Sequence, residues 1–195
     1  MNLLDLFLTS FHRGGPVMWP ILGVSLVVWI IGFDKLFRIR NLTKARKSFL
    51  QHAQNAAPEA YKTGSMQYDM LAKAVAGAKS EGNCFGYAFR EFLHTTIPQL
   101  DDGFSTMSAW ISAAPLLGLL GTVNGMIHTF KIIMEFGIGN PHMMAEGISI
   151  ALLTTQAGLT VAFPAMLFHN FLLNRKNRLV HSIIRDGEEL SKRLD

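Results

Sequence analysis

Three stretches of this 195-residue chain, 17–33, 104–130 and 147–174, contain no Asp, Glu, Lys or Arg. Charged residues make up only 16% of the sequence, while hydrophobic residues reach 49%. A soluble domain carries about 25% charged residues, so this composition points away from one. The lack of charge in the apolar runs also limits the chemistry. Proton relays through membranes normally use an intramembrane carboxylate or histidine. Here only His128 and His169 lie in these runs, near their ends. A group carrying a proton across the membrane would therefore have to come from another chain. The single cysteine, Cys84, forbids an intramolecular disulfide and reads as a small buried or half-buried side chain. The seven histidines are scattered. No nucleophile elbow, Gly-rich phosphate loop, metal-ligand spacing or pair of carboxylates at membrane depth is present. The expectation is no enzyme, no metal and no cofactor.

The apolar runs themselves have the length of membrane spans, which need about 20 residues. Met1–Phe11 places Leu3, Leu4, Phe7, Leu8 and Phe11 on one helical face, an amphipathic segment lying on the lipid surface within 1–16. Residues 17–33 form the first expected span, with Trp19 and Trp29 near its two ends. A cleaved signal peptide is the alternative. It is disfavoured by the missing basic segment before the run and the missing small-x-small site after it. Residues 34–103 read as a cytoplasmic segment of helical hairpins. It includes a basic amphipathic helix from Thr43, a helix at Met66–Lys79 and a stretch at Phe85–Thr96. Asp101-Asp102-Gly103 forms a turn, with Ser105 as the N-cap of the next helix. The second span is 104–130, followed by an external loop at 131–146, a third span at 147–174 and a basic helical tail at 175–195.

Of the 18 Lys and Arg residues, all except Arg13 and Lys131 then fall on one side. The positive-inside rule makes that side the cytoplasm, with the N-terminus outside and the C-terminus inside. The basic clusters at Lys35–Lys47 and Arg175–Arg193 are explained by this rule more simply than by nucleic-acid binding. The expected fold is thus an all-α membrane protein with three transmembrane helices extending into a cytoplasmic helical segment.

Small and polar residues run along one edge of two spans. Ser108, Ser112, Pro115, Gly118, Thr122, Gly125 and Thr129 recur at steps of three and four, as do Ala151, Thr155, Gly158, Ala162, Ala165 and His169. Such spacing makes a stripe on a helix, and small stripes let backbones approach inside a membrane. The matching seams predict a packed or pore-lining interface, with Thr122 and Thr155 in the middle third of their spans. Ser149, Gln156 and Thr160 make a second stripe; Gln156 cannot face lipid cheaply and should face protein or water. Ser112, Gly118, Gly125, Ala151, Gln156, Gly158 and Thr160 are the candidate pore or seam positions. Gly121 and Gly125 form a G-x-x-x-G on a neighbouring face, a weak motif.

The runs AAPLLGLLGTVNGMI at Ala113–Ile127 and GISIALLTTQAGLTVAFPAMLFHN at Gly147–Asn170 resemble the ExbB/TolQ/MotA family of proton-channel subunits. Length and the TTQ-G-L variant are most similar to the ExbB-type subunits of TonB systems. The resemblance implies a homopentameric ring in the bacterial inner membrane whose second and third helices line a pore. Two helices of ExbD-like single-span partners would sit there and carry the titrating aspartate, and proton flow would energise a TonB-like protein. By motif position the pore-lining threonines are Thr122 and Thr155. Where the family often has a glutamate, this chain has Ile150; Glu146, one turn earlier, is the candidate substitute carboxylate. The resemblance leaves a TolQ-like or other stator subunit as an alternative. A structural oligomer in which the seams only pack helices, with no ion crossing, is a reading of another class. An intramembrane enzyme is a distant third.

Overall fold

A computed structural model describes residues 14–54, 84–137 and 141–194. The amphipathic segment expected at Met1–Phe11, the helix expected at Met66–Lys79 and residues 138–140 of the expected loop lie outside the described residues. The described residues form four helices: α1 (Met18–Gln54), α2 (Cys84–Asp101), α3 (Phe104–Phe136) and α4 (Pro141–Leu194). Three helical stretches, Met18–Ala45, Phe89–Phe136 and Pro141–Glu189, are long and apolar enough to cross a membrane.

Helix α1 starts after Gly15, at φ +70°, and the Met18 N–H donates to the Gly15 carbonyl at 3.2 Å. Pro20 sits in the first turn, where its missing N–H costs no intrahelical bond. The helix then continues for 37 residues. The separate helix expected from Thr43 is instead the continuation of α1. Nothing between Phe33 and Gln54 is Gly or Pro, so the charges after Phe33 change the surroundings of the helix without ending it. The Thr43 hydroxyl donates to the Ile39 carbonyl at 2.7 Å, the bond of a helix-interior threonine.

Helix α2 differs from expectation in the same way. It continues through Pro98 to Asp101, and the Asp102 N–H donates to the Pro98 carbonyl at 2.8 Å. Gly103, at φ +77°, separates it from α3. Because α3 begins at Phe104, Ser105 is inside the helix and is not its N-cap. Residues 131–136 and 141–146, expected in a loop, are helical. At 54 residues, α4 is about 80 Å long by its rise of 1.5 Å per residue, far beyond a hydrocarbon core of about 30 Å.

The chain divides into two compact units. The first combines Met1–Gly32 with Ser105–His169. Its core is made by Ile21, Val24 and Val28 from α1, Met107, Ile111 and Ala114 from α3, and Ala151, Ala162 and Ala165 from α4. Gly32 gives way to neighbours: a Cβ there would lie 2.6 Å from Phe168 Cε1 and 3.3 Å from Met107 Cε. Trp29 stacks on Phe168 with ring centroids 5.4 Å apart. The outward faces carry large apolar side chains such as Trp19, Leu116, Leu120, Leu152 and Phe163.

The second unit combines Phe33–Phe104 with Asn170–Asp195. Ile39, Phe92, Leu100, Leu172, Leu179 and Ile183 are buried in it, and Phe89 lies against Gly187. Leu179 and Ile183 belong to the apolar stripe expected along the tail; the side chains of Leu190 and Leu194 lie outside the described residues. Lys176 pairs with Asp101, and its ammonium sits 5.6 Å from the centroid of the Phe104 ring.

Candidate functional site

The glycines of α3 and the small residues of α4 make this helix pair close. Gly118 faces Thr155 and Gly158, Gly121 faces Thr154, Gly125 faces Ala151, and Gly147 faces Thr129. Positions rise along one helix as they fall along the other, so the contact is antiparallel. A Cβ at Gly158 would lie 2.7 Å from the Ala114 carbonyl oxygen and 3.2 Å from Gly118 Cα. A Cβ at Gly125 would lie 2.9 Å from the Ala151 N and 3.0 Å from its Cα. These neighbours are backbone atoms, which cannot rotate away. Glycine is therefore required by close approach at both positions.

The structure brings Gly118, Gly125, Ala151 and Gly158 together inside one chain, all of them buried. The buried stripe of α3 is turned slightly from the one expected. It runs through Met107, Ile111, Ala114, Gly118, Gly121, Gly125 and Thr129, while Ser108 and Ser112 are exposed. On α4 it is Thr154, not Thr155, that is fully buried. Thr154 lies on neither of the two stripes expected along α4. The signal that could have found it is Gly121, whose missing side chain makes room for Thr154.

Thr122 and Thr155 are half-buried along the edge of this contact. The Thr122 hydroxyl donates to the Leu119 carbonyl at 2.7 Å. The Thr155 hydroxyl donates across the helix pair to the Gly118 carbonyl at 3.4 Å, four residues before Thr122. The Thr155 contact is long for an O–H···O bond. The Thr122 proton is committed to its carbonyl, and what remains there are oxygen lone pairs, which accept a hydrogen bond but cannot donate one. Such an oxygen favours a protonated carboxyl group over a carboxylate.

Gln156 and Thr160 are exposed, with the Thr160 hydroxyl donating to the Gln156 carbonyl at 2.7 Å. Ser149 and Glu146 are also exposed. Ile150 lines a cavity of about 210 Å³ in the first unit, together with Asn124, His128 and Thr154. Ile150, at the position where the resembled family often has a glutamate, thus adjoins polar groups but supplies none itself. Among the described residues no group of three or more His, Cys, Asp or Glu could hold a metal ion.

Comparison with known proteins matches residues 62–184 to the MotA/TolQ/ExbB proton channel family. The chain is 27% identical over 188 residues to a biopolymer transport ExbB homologue of Methanothermobacter thermautotrophicus, covering 90% of this chain and 66% of that one. It is 47% identical over 64 residues to the biopolymer transport protein ExbB of Aquifex aeolicus, covering 33% of this chain and 43% of that one. It is 24% identical over 204 residues to the Tol-Pal system protein TolQ of Haemophilus influenzae, covering 92% and 87%. A match over most of the length, added to three membrane-capable helices with a close small-residue contact, makes this chain a member of the MotA/TolQ/ExbB proton channel family.

Proposed function

We propose that the chain is an ExbB-like scaffold of an inner-membrane proton channel. It works with an Asp-bearing, ExbD-like single-span partner and couples the proton gradient to a TonB-like protein serving transport across the outer membrane. Its N-terminus lies outside and residues 34–103 and 175–195 lie in the cytoplasm. The observation that carries the reading is the combination of charge-free spans with polar side chains left exposed on the single chain. Gln156 and Thr160 at membrane depth have no inexpensive place against lipid. Only 28% of each apolar window is buried within the chain, so much of each span is open to lipid or to other subunits.

A ring of five copies would turn the Gln156–Thr160 stripe, with Thr122 and Thr155 beside it, toward a central space. The titrating carboxylate belongs to the partner. The threonine oxygens accept the hydrogen bond of its protonated, neutral form and release it on deprotonation. Glu146, exposed one turn before Ile150, is the carboxylate nearest in sequence to the position where the family often has a glutamate. The test is a mass measurement of the detergent-purified complex, with and without the partner. Five copies alone and a larger assembly with partner support the reading. A monomer that ignores the partner contradicts it.

The similarity to TolQ over 92% of this chain favours a second reading, in which the same scaffold serves cell-envelope work. The identity of the co-purified partner separates the two.

A further inference from the structure

Two features of the cavity beside Ile150 point to water. The first is its polar lining. Asn124 and His128 lie one turn apart on α3, and both are exposed. Neither side chain has a hydrogen-bond partner among the described residues. Asn124 stands six residues before Phe130, about 9 Å inside the end of its charge-free run. An amide without a partner at that depth is costly against lipid. The second feature is the facing wall, which includes the Gly14–Val17 turn ahead of α1, with Gly15 at φ +70°. Backbone outside a regular helix is tolerated at membrane depth only where protein buries it or where it lines a water-filled cavity. At about 210 Å³ the cavity has room for several waters, each taking about 30 Å³ in the liquid.

The cavity does not run on between α3 and α4. Gly121 and Gly125 meet Thr154 and Ala151 there, and the buried Thr154 hydroxyl donates to the Ala151 carbonyl at 2.8 Å. Within the lining, His128 is the one titratable side chain. The neighbouring charges are Lys131, on the next turn of α3, and Glu146, one turn before Ile150 on α4. Arg13, which precedes the turn, lies outside the described residues. An imidazole accepts a proton on a ring nitrogen and gives it back, which no other side chain of the lining does. His169, the other histidine of the apolar runs, lies near the opposite end of its span.

We propose that this cavity is a water-filled inlet at the outer side of the membrane and that His128 is its proton-loading residue. A ring nitrogen takes a proton from external water. The imidazolium then releases it to a water beside Asn124 and returns to the neutral ring. Because the α3–α4 contact closes the way inward, the proton leaves sideways, toward a neighbouring chain that carries it across. The inference rests on the proposed orientation and on proton conduction.

Two measurements on the full complex test it. In a Cys84→Ser background, an impermeant maleimide added from outside should label Asn124→Cys several-fold faster than Val123→Cys. Val123 is the exposed neighbour that does not line the cavity. Maleimide labelling needs a thiolate in water and does not depend on conduction. In liposomes, His128→Gln keeps a hydrogen-bonding side chain and removes the titrating nitrogen. It should lower proton flux several-fold with assembly intact; His128→Asn replaces it if the glutamine variant does not assemble. Adding Ile150→Glu, a titratable group on the facing wall, should restore part of that flux. Equal labelling at the two cysteine positions would overturn the inlet. Undiminished flux in the histidine variant, or a loss that Ile150→Glu does not relieve, would overturn the loading role and leave the proton channel standing. No flux in the parent complex would overturn the proposed function and the loading role with it, while the labelling would still decide whether the cavity holds water.

Discussion

At Gly158 a methyl group would meet the Ala114 carbonyl oxygen at 2.7 Å and Gly118 Cα at 3.2 Å. At Gly23, in the same unit, it would meet nothing within 4 Å. The two glycines therefore predict opposite outcomes for one chemical change. Gly158→Ala should destabilise the α3–α4 contact by about 1–3 kcal/mol, the usual range for overpacking. Gly23→Ala should be neutral or stabilise by up to about 1 kcal/mol, because alanine is the better helix former. Thermal melting followed by helical circular dichroism in detergent checks both; equal effects would mean that α3 and α4 do not meet as described. At this scale the sequence showed that small residues would pack, but not which threonine of the Thr154–Thr155 pair would turn inward. Steps of three and four from Ala151 both stay on one helical stripe. The choice is made by Gly121, which lies on the other helix, and the registry between helices is not written in either one alone.

Helix ends were less legible than helix interiors, for a physical reason that α1 makes plain. The sequence around Asp34-Lys35 marks where a span leaves apolar surroundings, and charge alone does not break hydrogen bonding along a helix. The stretch expected at Phe85–Thr96 runs further, and α2 continues through Pro98 to Asp101. The actual stop is Gly103, whose φ of +77° is costly for any residue with a Cβ. A Cβ there would also lie 2.8 Å from Lys35 Cε and 2.9 Å from its ammonium nitrogen. Gly103→Ala should therefore destabilise the second unit by about 1–2 kcal/mol through backbone strain, plus whatever the displacement of Lys35 adds. Its melting midpoint in detergent should fall below that of a Gly23→Ala control. A midpoint equal to the control would mean that the α2–α3 turn relaxes without strain.

For the molecule as a whole, the charge-free runs and the distribution of 18 cationic residues made the membrane class readable from sequence. They could not reveal how much of the small-residue seam is consumed within one chain. Gly118, Gly125, Ala151 and Gly158 are occupied by the α3–α4 contact, while Gln156 and Thr160 are exposed and Thr122 and Thr155 half-buried at its edge. The proposed orientation has its own test. In intact cells a membrane-impermeant maleimide should label an Asn140→Cys variant and leave native Cys84 unlabelled. Labelling of Cys84 would reverse the topology.

The central proposal is a division of labour, in which this chain supplies polar walls and a partner supplies the acid. Keeping a charged side chain at the centre of a span costs about 2.5–3.5 kcal/mol on insertion scales, and this chain has none in its three apolar runs. Thr122→Val and Thr155→Val remove the accepting oxygens with nearly no change of shape. The most direct measurement is proton flux into liposomes holding the chain alone, the complex with its Asp-bearing partner, and the complex carrying each Val variant. The predicted result is no flux through the chain alone, flux through the complex, and reduced flux in both variants with assembly intact. Robust flux through the isolated chain, or undiminished flux in both variants, would contradict it.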